Sequence, residues 1–562
     1  MDADAAYLAL VARDARFDGH WFVGVTSTGV YCRPICRVRT PMRRNCRFFD
    51  SAAQAEAAAF RPCLKCRPEL APGRDHAWTT MDASATLARQ AAHWLDAQVD
   101  SLATPSVAAL AGRLGISDRH LRRIFLAEHG VTPLDHLQTR RLLLAKHLLT
   151  DTTMPVSQVA LASGFGSLRR FNAAFTENYR MSPSRLRKGS VEVQGRGAVA
   201  QANDVDRTTH GAVVGAGAAA ERSTGSATGS TPSDAVTVTL AYRPPYDIPA
   251  MLHFLATHAI GHVEQVQPRG TRRSLRTGAI DGAPAGWIEA EFVEGRPQVR
   301  LRYSPSLAPH SAAVVRAARR WFDLDASPDA IDAVLHDLPH APGLRLPGSL
   351  DAFELAVRAV LGQQVTVAAG QTIARRLVER FGDPVGTPWE GVDRTFPSPA
   401  TLAAATADDI GVLGIFSSRI KAILALAREW PVLAPMFASG HSPQPLIQAL
   451  DDLPGIGPWT AHYIAMRALG FPDAWPPGDI AVDKAIAAHF GVTGKTAVTA
   501  HAERWAPWRA YAVMRLWNHP VPIGATAETE VLGAAPVDAT ATPPLIRRAR
   551  KKAPKTDIGD TP

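Results

Sequence analysis

Three features of the sequence predict a multidomain, predominantly α-helical chain. At 562 residues it is too long for a single core. Apolar residues recur at helical spacing through most of the second half, whereas strand-like alternation is confined to short stretches near the middle. All five cysteines crowd between positions 32 and 66, which marks off a small first domain. The expected parts are a small metal-bound α/β domain, an all-α domain with two helix-turn-helix units, an α+β domain, and an all-α domain built around a helix–hairpin–helix.

The balance of charge narrows the partners. A formal net charge of +9 and a pI near 9.5 suit a polyanion. The excess is concentrated between Tyr31 and Arg74, where ten Lys/Arg face three Asp/Glu. No basic start followed by an apolar stretch suggests a signal peptide, and no apolar run approaches a membrane span. The expectation is a cytoplasmic, nucleoid-associated monomer with no membrane partner, in a reducing compartment where clustered cysteines hold metal before they form disulfides.

In the first domain, residues 1–80, the pairs Cys32-x3-Cys36 and Cys63-x2-Cys66 have the spacing of a tetrahedral four-thiolate Zn²⁺ site. Spacing alone equally allows a zinc that only holds the domain together. The words TSTGVYCRPICRVR and FRPCLKCRPE resemble the N-terminal domain of Ada. The resemblance implies transfer of a methyl group from a DNA methylphosphotriester to the first cysteine of the CRPxCR word, Cys32. Zinc keeps that sulfur as the nucleophilic thiolate. A four-thiolate zinc site carries charge −2 and a singly methylated one −1, so methylation lessens repulsion of phosphate and strengthens DNA binding. The same resemblance makes Thr28, Arg37, Arg39 and Arg61 candidate DNA contacts, against the plainer reading of a solvated basic surface. Cys46 has no partner in this spacing and reads as incidental.

From 85 to 188 two helix–turn–helix patterns follow, SVAALAGRLGIS before DRHLRRIF, and VSQVALASGFG before SLRRFNAAF. In each, an apolar stripe shares a helix with an arginine-rich face suited to the major groove. With VTPLDHLQTRRLLLAKHLL between the copies, the segment resembles the AraC-type DNA-binding domain. Arg119, Arg122, Arg169 and Arg170 face outward and are the candidate base or phosphate contacts. RNA polymerase is the partner implied for transcription activation.

Residues 189–234 are rich in Gly, Ala, Ser and Thr without periodicity and read as a flexible tether of roughly 40 Å span. The two halves can therefore occupy different DNA sites or act independently. An α+β unit at 235–323 begins with the alternating VTVTLAY, continues through the helical YDIPAMLHFLATHA, and includes the hairpin GWIEAEFVEGRPQVRLRYS. Its expected role is support.

From 324 to 523 the periodicity is helical. The hairpin Pro454-Gly455-Ile456-Gly457-Pro458 lies between PLIQALDDL and WTAHYIAMRAL, and Pro476-Pro477-Gly478-Asp479 follows. Glycines turn tightly and approach a ligand closely, and a helix start offers free N–H groups to phosphate. Gly455 and Gly457 are therefore candidate DNA contacts.

LPGIGPWTA with the Pro-Pro-Gly-Asp run resembles the helix-hairpin-helix DNA glycosylases of the AlkA type, as do RPPYDIPAMLHFLATHA and GLRLPGSLDAFELAVRAVLGQQVT. The resemblance makes Asp479 the catalytic carboxylate, with Asp483 as its competitor. It places Trp459, Tyr463 and Trp517 as pocket aromatics, the alternative being ordinary core packing. Gln364 falls where relatives carry an apolar wedge, a departure from the pattern. Trp459 stands where strand-cutting relatives have a lysine, so a monofunctional glycosylase without a cofactor is expected. No cysteine follows Cys66, which excludes repair of O6-methylguanine by a second acceptor thiol here. Residues 524–562 end in RRARKKAPK and read as a disordered basic tail.

The function expected is a bifunctional alkylation-damage protein that senses methylphosphotriesters, activates transcription, and excises 3-methyladenine-type bases from double-stranded DNA. The competing expectation is a DNA-binding transcription regulator whose glycosylase half is inactive.

Overall fold

The computed structural model describes residues 2–73, 83–103, 105–187, 235–280, 282–437 and 443–518. The expected tether at 189–234 and basic tail at 524–562 lie outside the described residues.

In the first domain helix α1 (Ala3–Ala12), capped by Asp2, covers a four-stranded sheet. Strand β1 (Phe22–Val25) pairs antiparallel with β2 (Val30–Cys32) and β3 (Cys46–Phe49). Helix α2 (Ala52–Ala57) precedes β4 (Arg61–Pro62), which runs parallel to β2.

Six helices follow, α3 (Ala83–Ala97), α4 (Val107–Arg113), α5 (Asp118–His129), α6 (Pro133–Asp151), α7 (Val156–Ala162) and α8 (Leu168–Tyr179). Serine hydroxyls set the expected starts: Ser106 caps α4, Ser117 caps α5 and Ser167 caps α8, each accepting from a backbone N–H of the first turn. Gly115 and Gly164 turn between paired helices with φ of +69° and +75°, backbone that glycine enters without strain. The long α6 joins the two helix-turn-helix units.

The α+β unit is a five-stranded antiparallel sheet of order β5-β9-β8-β7-β6. Its strands are β5 (Val236–Ala241), β6 (Glu264–Gln267), β7 (Gly270–Leu275), β8 (Gly286–Phe292) and β9 (Gln298–Tyr303). Helix α9 (Ile248–Thr257) follows β5, and α10 (Ser311–Trp321) follows β9.

The helical domain then runs through α11 (Pro328–Val334), α12 (Ala352–Leu361), α13 (Val367–Phe381), α14 (Pro399–Ala404), α15 (Ala407–Gly411), α16 (Ser417–Leu433), α17 (Pro443–Asp451) and α18 (Pro458–Ile464). Helix α18 runs on into a π turn (Ala465–Leu469), and α19 (Ile480–Phe490), α20 (Lys495–Ala502) and α21 (Arg509–Asn518) complete the domain. Two apolar cores flank the hairpin, one on α12, α16 and α18, the other on α19 and α21.

The two halves pack on one another. Leu148 of α6 and Phe171 and Phe175 of α8 share one core with Val238 and Ile288 of the sheet and with Val314 of α10. Arg243, just past β5, is buried and donates to carbonyls of both halves: Nε to Asp18 O at 2.9 Å, and the guanidinium ends to Gly73 O, Asp325 O and Ala326 O. Asp151 at the end of α6 accepts from the backbone N–H of Thr239 in β5 at 2.9 Å. A tether permits separation, but burial of apolar surface on both partners opposes it.

Candidate functional sites

The four spaced cysteines converge. Their sulfurs lie within 4.8 Å of one another, the spread of a tetrahedral thiolate set, and the residues fit one Zn²⁺. Cys32 ends β2 and is 5% exposed; Cys36 and Cys63 are also buried, and Cys66 is the most open of the four. Backbone N–H groups aim at the sulfurs, Arg33 N to Cys66 Sγ at 3.3 Å and Lys65 N to Cys63 Sγ at 3.4 Å. Cys46 stands apart in β3 with its thiol on Met42 O, as its spacing suggested.

Thr28 lies exposed in the β1–β2 turn, Arg37 and Arg39 are exposed beyond Cys36, and Arg61 is half-buried in β4. Sequence reasoning missed Arg33. It is buried, paired through Nε with Asp18 Oδ1 at 2.7 Å, and it donates to Cys66 O at 3.1 Å. Nothing in its spacing separated this structural cation from the surface arginines around it.

Arg119 and Arg122 lie exposed on α5, and Arg169 and Arg170 on α8. Arg122 is held by Asp118 at 3.0 Å, an i,i+4 pair.

At the second site Asp479 caps α19 rather than lying within it. Its Oδ1 accepts from Ala481 N and Val482 N, both at 3.0 Å, and from Trp517 Nε1 at 3.2 Å. Its Oδ2 accepts from Trp459 Nε1 at 2.9 Å. Four N–H groups thus converge on one carboxylate, three on Oδ1 and one on Oδ2, in a residue 9% exposed. Asp483 lies one turn on, its N–H bonded to Asp479 O at 2.8 Å. Burial and the neighbouring Asp479 charge push its carboxyl up.

The two indoles form part of the wall of a cavity of about 440 Å³, within the range of small-molecule sites. Tyr463 stacks on Trp459 with ring centroids 5.1 Å apart and planes 9° apart, and it lies 6.3 Å from Trp517. The three expected aromatics therefore surround one space. The same cavity is lined by Phe254 of α9, by His258 just beyond its end, and by the buried Arg467. Arg467 donates to Tyr463 Oη at 2.8 Å and sits 4.5 Å from the centre of the Phe254 ring. Burial, chiefly, pushes its guanidinium down. The role of support expected for the α+β unit was too narrow, because α9 builds the pocket.

Gln364 is exposed in the turn between α12 and α13, with φ +53°, left-handed backbone that costs a non-glycine residue about 1–2 kcal/mol. It is not in the cavity wall, although its neighbours Gly362 and Val365 are. Gln363 ties this turn to the hairpin, its Nε2 donating to Gly455 O at 3.0 Å and Thr460 Oγ1 at 3.1 Å. Gly455 needs its glycine: φ is +83°, and a Cβ there would lie 3.0 Å from Ala422 Cβ. Gly457 is exposed with open space around it.

Comparison with known proteins gives four family matches in chain order: the metal binding domain of Ada (residues 5–69), a helix-turn-helix domain (110–189), the AlkA N-terminal domain (237–351), and the HhH-GPD superfamily base excision DNA repair protein (357–510). A probable bifunctional transcriptional activator/DNA repair enzyme AlkA of Mycobacterium tuberculosis is 35% identical over 532 residues, covering 92% of this chain and 97% of that one. DNA-3-methyladenine glycosylase 2 of Escherichia coli is 35% identical over 281 residues, 50% of this chain and 96% of that one. The bifunctional transcriptional activator/DNA repair enzyme Ada of Escherichia coli is 30% identical over 198 residues, 35% of this chain and 52% of that one. The chain belongs to the family of bifunctional proteins that join an Ada-type transcriptional activator to an AlkA-type DNA repair enzyme.

Proposed function

We propose that the rear half excises alkylated bases of the 3-methyladenine type from duplex DNA, and that the front half takes a methyl group from DNA methylphosphotriesters and then activates transcription. The observation that carries the enzymatic reading is the Asp479 carboxylate, held by two indole N–H groups that line a base-sized aromatic cavity.

A base in duplex DNA reaches such a cavity only by leaving the stack. An N-alkylated purine is cationic, so the π-faces of Trp459, Tyr463 and Trp517 attract it. The bond from C1′ to the base nitrogen breaks with its electron pair passing to the base, and the sugar acquires oxocarbenium character. The fixed Asp479 anion stabilises that charge. Water then adds at C1′ and loses a proton to solvent, leaving an abasic site. With Trp459 in the hairpin word no amine is placed to form a Schiff base, so the strand stays uncut. Gln364, on its strained turn beside the hairpin, fills the gap in the stack, and the Gly455–Gly457 hairpin holds backbone phosphate.

At the front, zinc when bound keeps the four sulfurs as thiolates. The Cys32 sulfur attacks the methyl carbon; the S–C bond forms, the C–O bond breaks, and the phosphodiester leaves with the electron pair. Thr28, Arg37, Arg39 and Arg61 hold the DNA backbone beside it. The loss of one negative charge favours promoter binding through α5 and α8, where Arg119, Arg122, Arg169 and Arg170 contact DNA and RNA polymerase is recruited. The protein acts as a monomer in the cytoplasm on the nucleoid; among the described residues no helix is long and apolar enough to cross a membrane.

Incubation with duplex containing 3-methyladenine should release free base and leave an abasic site without a nick. No release by the wild type would favour the alternative, a regulator with an inactive glycosylase half. Incubation with methylphosphotriester DNA should leave the methyl group on the peptide that holds Cys32; finding it on Cys66, or on no peptide, would refute the sensor assignment.

A further inference from the structure

The cavity lined by the two indoles that hold Asp479 also carries a hydrogen-bond acceptor of defined polarity. Phe254 and His258, one helical turn apart at the end of α9, stack with ring centroids 4.2 Å apart and planes 22° apart. Nδ1 of His258 lies 2.8 Å from the Phe254 carbonyl oxygen. A carbonyl oxygen only accepts, so Nδ1 carries a proton, and in a neutral imidazole Nε2 then presents a bare lone pair. His258 is a half-buried residue of the cavity lining, and its Nε2 makes no hydrogen bond among the described residues.

The surroundings hold the ring neutral. Burial, with the Arg467 and Arg358 guanidiniums close by, pushes its pKa down to about 4. Those two arginines are themselves committed: Arg467 to Tyr463 Oη and Pro347 O, Arg358 to Glu264, Glu354 and the His258 carbonyl. The wall therefore sets an open acceptor beside two guanidiniums that already hold protein partners.

We infer that His258 is a specificity-determining residue, its Nε2 accepting a hydrogen bond from the exocyclic amine of the flipped-out base. This rests on the base-excision reading of the Asp479 site. A lesion whose amine nitrogen is free, such as 3-methyladenine, gains the bond. One whose amine nitrogen is closed into a ring without hydrogen, such as 1,N6-ethenoadenine, leaves the acceptor unpaired.

The test is the ratio of single-turnover release rates for 3-methyladenine and 1,N6-ethenoadenine from matched duplexes, measured on one preparation so that any inactive fraction cancels. His258→Leu should lower the ratio about five- to tenfold by slowing the amine-bearing base, the effect of one such bond. His258→Gln, which keeps an acceptor, should recover most of it. Where the wild type releases no measurable ethenoadenine, the slowing of 3-methyladenine release in His258→Leu and its recovery in His258→Gln are read directly, and no slowing overturns the inference. An unchanged ratio in His258→Leu, or equal slowing of both lesions, overturns the inference while leaving the Asp479 reading standing. Failure of the wild type on both lesions defeats that reading and this inference with it.

Discussion

Replacing Arg243 by Met should loosen the joint between the halves and leave the glycosylase core intact. The guanidinium satisfies carbonyls of Asp18 and Gly73 on one side and of Asp325 and Ala326 on the other. Methionine keeps most of the stem but donates nothing, so at least three buried carbonyls lose a partner. At the low end of about 1 kcal/mol for each unsatisfied group, the local opening free energy falls by about 3 kcal/mol. Hydrogen exchange read by mass spectrometry converts that into about a hundredfold faster exchange, because every 1.4 kcal/mol is about tenfold. The gain should appear in peptides covering 14–24 and 236–246, and not in α12, whose core lies elsewhere. A change below about threefold in those peptides, or an equal acceleration in α12, would refute the idea that this cation helps to hold the joint closed.

Three other outcomes follow from the geometry. Glu56 is buried between α2 and α6, bonded to Tyr31 and Thr139, and burial pushes its carboxyl up to about 7. A folded pKa above the unfolded one gives stability that is present below about 4.5 and lost as pH rises through about 7. Glu56→Gln should therefore remove up to about 3 kcal/mol of decline over that window in urea unfolding, and wild type and variant with the same slope would contradict it. Cys46→Ser should still bind one zinc per chain and Cys63→Ser should not; loss of metal from the first would break the four-ligand assignment. Gly455→Ala should strain the hairpin by about 1–2 kcal/mol and weaken affinity for undamaged duplex by about tenfold, as measured by fluorescence anisotropy, and unaltered binding would count against a hairpin contact with DNA.

How much of this was legible in the sequence depends on how locally each signal was written. The cysteine pairs were legible because ligand geometry imposes short spacing, and the helix-turn-helix pairs because an apolar stripe and an arginine-rich face are written within a single short helix. The hairpin and Asp479 share one stretch of about thirty residues, so a local word sufficed. The pocket did not. Part of its lining comes from Phe254 and His258, some two hundred residues upstream, in a segment whose helical pattern carried no mark of a site. Arg33, Arg243 and Arg467 were equally opaque: an arginine in sequence reads as surface charge, and only the fold shows the carbonyls and carboxylates that bury it. The joint between the halves was hidden for the same reason, since apolar residues such as Phe171 and Ile288 declare burial without naming their partner.

The central claim is that one fixed anion beneath the sugar accounts for excision. Asn at position 479 keeps the shape and can keep an oxygen on the Ala481, Val482 and Trp517 N–H groups, but its amide N–H₂ then faces the Trp459 indole N–H, donor against donor, and the negative charge is gone. The decisive measurement is the single-turnover release of 3-methyladenine by wild type, Asp479→Asn and Asp483→Asn at equal saturating enzyme. Release should fall by at least about a hundredfold in Asp479→Asn, the scale for loss of an electrostatic stabiliser, and by less than about threefold in Asp483→Asn. Near-normal release by Asp479→Asn, or collapse in Asp483→Asn alone, would contradict the account.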